Sequence, residues 1–236
     1  MYNLILAFVM VFVMAAPALA AAPAEPPFFP LTKGTYWVYQ GTTKWQEESS
    51  EKVSEKVLTW KMEVTETIER GHVTAAVLKG HPLDLAWYKE GKTPGDYLII
   101  RVGPDEYYLL TEQRVQEALT KLRDQDDILA DLVKDVEQFL DLPLTPGKIF
   151  GETMQITRQD GSYYWIVENE KPVKMDKVKG LSPSAALTEY ELAFLTTSDN
   201  TKVNYVPGVG IVRYTYGHNG SVSETDLKLI EYHPGS

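Results

Sequence analysis

The sequence predicts a mainly β protein, an antiparallel curved sheet or open barrel of about 11–12 strands in two similar halves, with one helical insertion at about residues 112–140. Three observations carry this. Runs that alternate apolar and polar residues recur along most of the chain. Short turns rich in Gly, Pro, Asn and Asp separate them. One acidic stretch between the runs changes to helical spacing.

Ahead of the β region, Leu4 to Ala22 carries no charged side chain, and the apolar run Leu4 to Met14 leads into Ala18-Leu19-Ala20. This reads as a secretory signal peptide, residues 1–20, cut after Ala20 and followed by a flexible spacer, residues 21–27. About 20 apolar residues can also span a bilayer. Pro17 and the small residues Ala18 and Ala20 favour cleavage, so no stable membrane insertion is expected afterwards. Residues 28–236 are expected to form a single β-rich domain. Its two β halves, 28–110 and 143–233, are joined by a helical segment, 111–141.

Along the domain, the clearest strand is Leu58 to Ile68, with Leu58, Trp60, Met62, Val64 and Ile68 on one face and Thr59, Lys61, Glu63, Thr65 and Thr67 on the other. Arg70-Gly71 turns it into a hairpin with His72 to Leu78. Turn chemistry then recurs at Gly91 to Asp96, Gly103 to Glu106, Gln159 to Gly161, Ser198 to Asn200, Pro207-Gly208 and Gly217 to Gly220. Connections this short join antiparallel neighbours, because parallel strands need long crossovers. In the helical segment, Val115, Leu119, Leu122, Leu129, Leu132, Val133, Val136 and Leu140 follow a 3.6-residue period. A break is expected near Asp124 to Asp127, with an Asp capping a second helix that ends before Pro143. The halves open on matching turns, Pro30-Leu31-Thr32-Lys33-Gly34 and Pro143-Leu144-Thr145-Pro146-Gly147, which suggests an internal repeat.

The series "FPLTKGTYWVYQG", "LDLPLTPGKIFG", "NYVPGVGIVRY" and "LKLIEY" resembles a group of exported bacterial β-rich proteins of uncharacterised function. The resemblance implies an exported β-sheet domain and brings no catalytic residue with it. In layout alone, the chain is also similar to periplasmic carriers in which a curved sheet holds a lipid beneath a helical lid. An exported location, periplasmic or extracellular, is implied by the leader.

Composition narrows the function classes. The formal net charge is −10, and Glu112 to Asp141 holds nine acids against four bases. Polyanions are repelled, so nucleic acid is not an expected partner. With no cysteine, neither a disulfide framework nor a lipidated N-terminal Cys is available, and stability must come from a packed core.

Catalytic and metal motifs are absent from the sequence. His72, His81, His218 and His233 lack metal-ligand spacing. Asp124-Gln125-Asp126-Asp127 begins like a calcium loop, but its sixth and twelfth positions are Leu129 and Asp135 instead of Gly and Glu. There is no G-x-S-x-G elbow, and Ser182-Pro183-Ser184 lacks the Lys of S-x-x-K. Glu189 and Glu191 read as the wet side of an amphipathic strand. In "NYVPGVGIVRY", Arg213 stands where a dinucleotide loop needs its third Gly; Pro207-Gly208 suits a type II turn and Gly210 a bulge. No metal, cofactor or enzymatic activity is expected.

Aromatic residues supply the remaining signal. Adjacent pairs such as Tyr107-Tyr108 and Tyr163-Tyr164 must point to opposite faces of a strand. Trp87, Tyr108 and Tyr164 are therefore the candidate ligand-binding residues on a concave surface. The favoured reading is a soluble exported binding or carrier protein holding a hydrophobic or amphiphilic ligand, lipid-like or glycan, under the helical segment. The alternatives are a non-enzymatic envelope module with a protein partner, and a hydrolase of envelope polymers with two inward carboxylates.

Overall fold

In a computed structural model, residues 28–236 are described except 48–50, 112, 125–132, 134–135, 153 and 183–185. The signal-peptide and spacer assignments therefore lie outside the described residues, as do most of the acidic calcium-loop-like stretch and part of Ser182-Pro183-Ser184.

The chain is mainly β. The first half supplies β1 (Tyr36–Gln46), β2 (Val53–Arg70), β3 (Val73–Lys79), β4 (Asp96–Val102), β5 (Glu106–Thr111) and β6 (Glu137–Asp141), with helix α1 (Gln113–Asp124) between the last two. The second half supplies β7 (Ile149–Phe150), β8 (Trp165–Val173), β9 (Leu187–Leu195), β10 (Asp199–Val206), β11 (Gly210–His218) and β12 (Ser223–His233). All twelve strands form one sheet in the order β6-β5-β4-β3-β2-β1-β12-β11-β10-β9-β8-β7. Apart from the break between β6 and β7, every strand lies beside its neighbour in sequence, and β12 closes onto β1 by a long antiparallel ladder from Tyr36↔His233 to Trp45↔Ser223. The result is a meander that nearly completes a barrel. Its two ends, β6 and β7, approach each other but share no ladder.

The matching turns of the two halves are alike in detail. Thr35 N–H donates to Thr32 C=O at 3.0 Å, and Lys148 N–H to Thr145 C=O at 2.9 Å. Gly34 and Gly147 adopt φ of 85° and 86°, a region open to Gly because it lacks Cβ. The strands they lead into differ. β1 runs for 11 residues, whereas β7 has two. So the junction between β12 and β1 is fully paired, and the corresponding junction between β6 and β7 is a seam.

Period-two alternation decides what faces the interior. In β4, Tyr97 and Ile99 point into the main core, while Leu98 and Ile100 point outward. Both sets are buried, because Val115, Ala118, Leu119 and Leu122 of α1 pack on the outer face of β3–β5. The outer face of the second half is polar instead. Lys171 pairs with Glu189 at 2.9 Å, Lys202 with Glu168 at 2.6 Å and Arg213 with Asp226 at 2.9 Å. Glu189 and Glu191 thus sit in an exterior ion-pair ladder, with Tyr190, Leu192 and Phe194 packed on the core side.

A bulge between Val64 and Glu66 turns Ile68, expected on the face of Trp60, Met62 and Val64, to the outer face beside the α1 cluster. Two further features differ from the sequence reading. Residues 137–141, expected to be helical, form β6; most of the break expected near Asp124 to Asp127, and most of the expected second helix before residue 136, lies outside the described residues. Val136 and Leu140 satisfy helical spacing and strand burial equally, so periodicity alone cannot separate them. The cross-strand pairs with β5, Tyr107↔Leu140 and Leu109↔Glu137, favour the strand. The second difference concerns the lid. Helix α1 lies outside the barrel and does not cover its interior.

The interior is filled at one level by Phe29, which is fully buried and lies 5.6 Å from the Trp37 ring and 6.2 Å from that of Tyr205. "NYVPGVGIVRY" forms the hairpin corner beneath it. Gly208 has φ 75°, as a type II turn requires, and Trp37 Nε1 donates to Val209 C=O at 2.6 Å.

Candidate functional site

Beyond Phe29 the barrel interior is open. A cavity of about 240 Å³ lies between the inner faces of β5, β6 and β8–β11 and a cap formed by the segment after β3. The cap is built locally. His81 precedes Pro82, whose ring disfavours α-helical backbone at the residue before it, and the chain enters a 3-10 turn, Pro82–Leu85. His81 Nδ1 accepts from Leu83 N–H at 3.2 Å, which caps that turn. Asp84 is buried and accepts from Gly95 N–H at 2.9 Å and from Tyr97 Oη at 3.0 Å. Thr225 Oγ1 donates to Leu85 C=O at 2.7 Å and ties the cap to β12.

Phe139 and Tyr205, which both touch Phe29, form the floor of the cavity, and Trp165, Phe194, Tyr214 and Tyr216 form its walls. His81, Leu83, Ala86 and Trp87 form the roof. The lining is largely apolar and aromatic, the character of small-molecule sites. The volume suits a molecule somewhat larger than benzene, which a cavity of about 150 Å³ accommodates.

A few polar groups interrupt that lining. Glu137 faces inward opposite Leu109, next to a bulge that also turns Phe139 into the interior. Its Oε1 accepts from Trp165 Nε1 at 2.9 Å, which bridges β6 to β8 across the seam. Glu137 is an exposed residue that borders both the cavity and the seam cleft, while its carboxyl end lies against Trp165. Desolvation of that end raises its pKa above the ordinary glutamate value, and the Trp165 hydrogen bond opposes the rise. Asp199 is held by its surroundings: Oδ1 accepts from Tyr216 Oη at 2.5 Å and Oδ2 from Thr196 Oγ1 at 3.0 Å.

Two of the buried polar atoms that lack a hydrogen-bond partner among the described residues belong to this lining, His81 Nε2 and Tyr214 Oη. The two residues are 5% and 1% exposed. Burial lowers the His81 pKa to about 3, so its ring is neutral. Because Nδ1 accepts a hydrogen bond, Nε2 carries the ring proton and is a free donor. Buried polar groups without partners cost free energy. A ligand that supplies partners would recover it.

Two neighbouring spaces share lining residues with this cavity. On the cap side lies a broad groove of about 890 Å³ lined by Trp45, Trp87 and Tyr88 and edged by Glu47, Glu51 and Glu90. Trp87 borders both spaces, half-exposed, with its ring 4.3 Å from that of His218. It holds φ 56°, a conformation uncommon for a bulky non-glycine residue. On the other side, a cleft of about 250 Å³ at the seam shares Glu137, Trp165 and Phe194 with the cavity.

Of the three residues singled out from the sequence, the structure brings Trp87 to the cavity. Tyr108 lies on the outer face of β5, beside the cluster packed under α1, where its hydroxyl donates to Glu106 at 3.1 Å. Tyr164 lies in the loop before β8, next to Gly151 and Gly161. The three do not converge. Sequence reasoning missed Glu137, His81 and Tyr214. Among these, only the His-Pro step carried a local signal.

Among the described residues no cluster of His, Asp or Glu is arranged to hold a metal ion, and no helix is long and apolar enough to cross a membrane. No protein-family model matches the chain, and no curated protein matches it. Two solved structures are similar. One is of a protein taken to be exported, with a YMCC-like fold, from Bacteroides fragilis NCTC 9343, at TM-score 0.44 and 11% identity over 88% of this chain and 99% of that one. The other is of a protein taken to be a lipoprotein from Parabacteroides distasonis ATCC 8503, at TM-score 0.35 and 14% identity over 88% of this chain and 99% of that one.

Proposed function

We propose that this is an exported binding or carrier protein that holds a small apolar or amphiphilic molecule inside the barrel, beneath Trp87. The leader at residues 1–20 would deliver it to the envelope or beyond. The observation that carries the reading is an aromatic-walled cavity in which His81 Nε2 and Tyr214 Oη lack partners. A protein stabilised by packing alone has no use for such a space, since unfilled volume and unpaired donors both cost stability.

A hydrolytic reading has one feature in its favour, because two carboxyls, Glu137 and Asp199, line the same cavity. Asp199, however, is committed to Tyr216 and Thr196, and a space of about 240 Å³ is far smaller than a polymer-binding cleft. Binding is the better account.

The test uses 2-phenylethanol, a compact molecule with one apolar end and one hydroxyl. Calorimetric titration should give one-to-one binding, lost in Thr201→Phe, which places a ring in the cavity. Failure to bind, or undiminished binding by a folded Thr201→Phe variant, would refute the proposal.

A further inference from the structure

We infer that Glu137 selects a cationic ligand, so that the cavity prefers a small organic amine over a neutral or acidic molecule of the same shape. This inference rests on the binding reading above and adds the chemistry of the occupant.

Glu137 is defined by the partner it lacks. Its Oε1 is satisfied by Trp165 Nε1, but no Lys, Arg or His lies within ion-pairing distance among the described residues. The cations of β8, β10 and β11 are all spent on the exterior ladder, Lys171 on Glu189, Lys202 on Glu168 and Arg213 on Asp226. A carboxylate that opens onto an aromatic lining with no counter-charge beside it is placed to attract a cation. The remaining neighbours make a cation the fitting partner. Trp165, Phe139 and Phe194 stand around Glu137, and the faces of aromatic rings attract ammonium groups. Asp199 and the net charge of −10 add to a field that draws cations and repels anions.

The unpaired atoms of the lining refine the class. His81 Nε2 donates and Tyr214 Oη can donate or accept, so the lining also suits a hydroxyl or carbonyl oxygen on the ligand. A compact molecule with an ammonium at one end and an oxygen at the other would satisfy both the carboxylate and the unpaired atoms of the cavity lining. Glu137 also borders the seam cleft, so the charged end would sit where solvent is nearest.

Three probes of similar size separate charge from shape: 2-phenylethylamine, 2-phenylethanol and phenylacetate, each titrated calorimetrically at physiological salt, where weak pairing with surface acids is screened. The amine is expected to bind at least about tenfold more tightly than the alcohol, a factor within the range of one cation–π contact plus one ion pair. Phenylacetate is expected to bind more weakly than either. Glu137→Gln should bring the amine down to the level of the alcohol. If the alcohol matches or exceeds the amine, or if the folded variant keeps the preference, the inference is overturned while the binding reading stands. If none of the three binds, both fall. Should Glu137→Gln not fold, the series on the natural protein still decides the preference.

Discussion

Acid titration of His81 offers a quantitative check on the cap. Buried at 5% exposure, its ring is held neutral, with a pKa of about 3 against 6.5 for an unperturbed imidazole, and desolvation is the cause. The groups around it offer no rescue by a nearby salt bridge. Tyr97 packs 5.2 Å from its ring, Asp84 is engaged with Gly95 and Tyr97, and Glu137, Asp199, Tyr214 and Tyr216 line the same cavity. For a base with a depressed native pKa, the unfolded chain binds the proton first. Stability from His81 is therefore complete above about pH 6.5 and is lost as pH falls toward 3. At about 1.4 kcal/mol per pH unit the full loss approaches 5 kcal/mol. Ordinary carboxylates titrate in the lower part of that range and the raised Glu137 carboxyl is common to both proteins compared below, so the useful window is about pH 6.5 to 4.5, where His81 contributes about 2–3 kcal/mol. His81→Asn removes the titration and keeps an oxygen to cap the 3-10 turn. Urea unfolding of both proteins across the window should show the natural protein losing about 2–3 kcal/mol more than the variant. Parallel pH dependence would show that His81 is not buried neutral, and the description of the cavity roof would fail with it.

Single contacts give further expectations. Trp87→Asn keeps a residue that tolerates positive φ but removes the ring between the groove and the cavity. Stopped-flow measurement should show dissociation of 2-phenylethanol faster by about tenfold or more at nearly unchanged stability; an unchanged rate would remove Trp87 as the gate. Gly210 has φ 94°, and an added Cβ would meet the Phe29 and Trp37 rings at 3.3 and 3.4 Å. Gly210→Ala should therefore cost about 1–3 kcal/mol in denaturant unfolding, and a cost near zero would refute the packing described for that corner. Leu119→Ala opens the buried contact between α1 and the outer sheet face and should cost about 2–5 kcal/mol. Calorimetry on the folded variant should find ligand affinity unchanged, because the helix is not the lid; a weakened affinity would return the lid role to it.

The strand framework was legible because its signals are local. Leu58 to Val64 alternates as read, whereas the bulge after Val64, which puts Ile68 on the outer face, leaves no residue signal. Pro207-Gly208 and the two Pro-Leu-Thr turns specify backbone geometry through proline's fixed φ and glycine's freedom. The site was less legible. Glu137 sits in a stretch whose apolar spacing fits a helix, and only pairing with Leu109 turns it into a cavity wall. Alternation separates Tyr107 from Tyr108, but it cannot say which of them faces inward when α1 buries the outer face as well. His81 becomes a site residue through the path of the chain over the barrel end, which no residue pattern encodes. Trp87 was noticed as an aromatic residue, whereas its position between two spaces is a property of the assembled barrel.

The central claim, that the barrel interior is a binding site, is tested most directly by a native mass spectrum of the protein gently extracted from its own host. The account expects a small non-covalent adduct at one-to-one stoichiometry that folded Thr201→Phe protein does not carry. A bare chain mass for both, or an adduct retained by the variant, would contradict it.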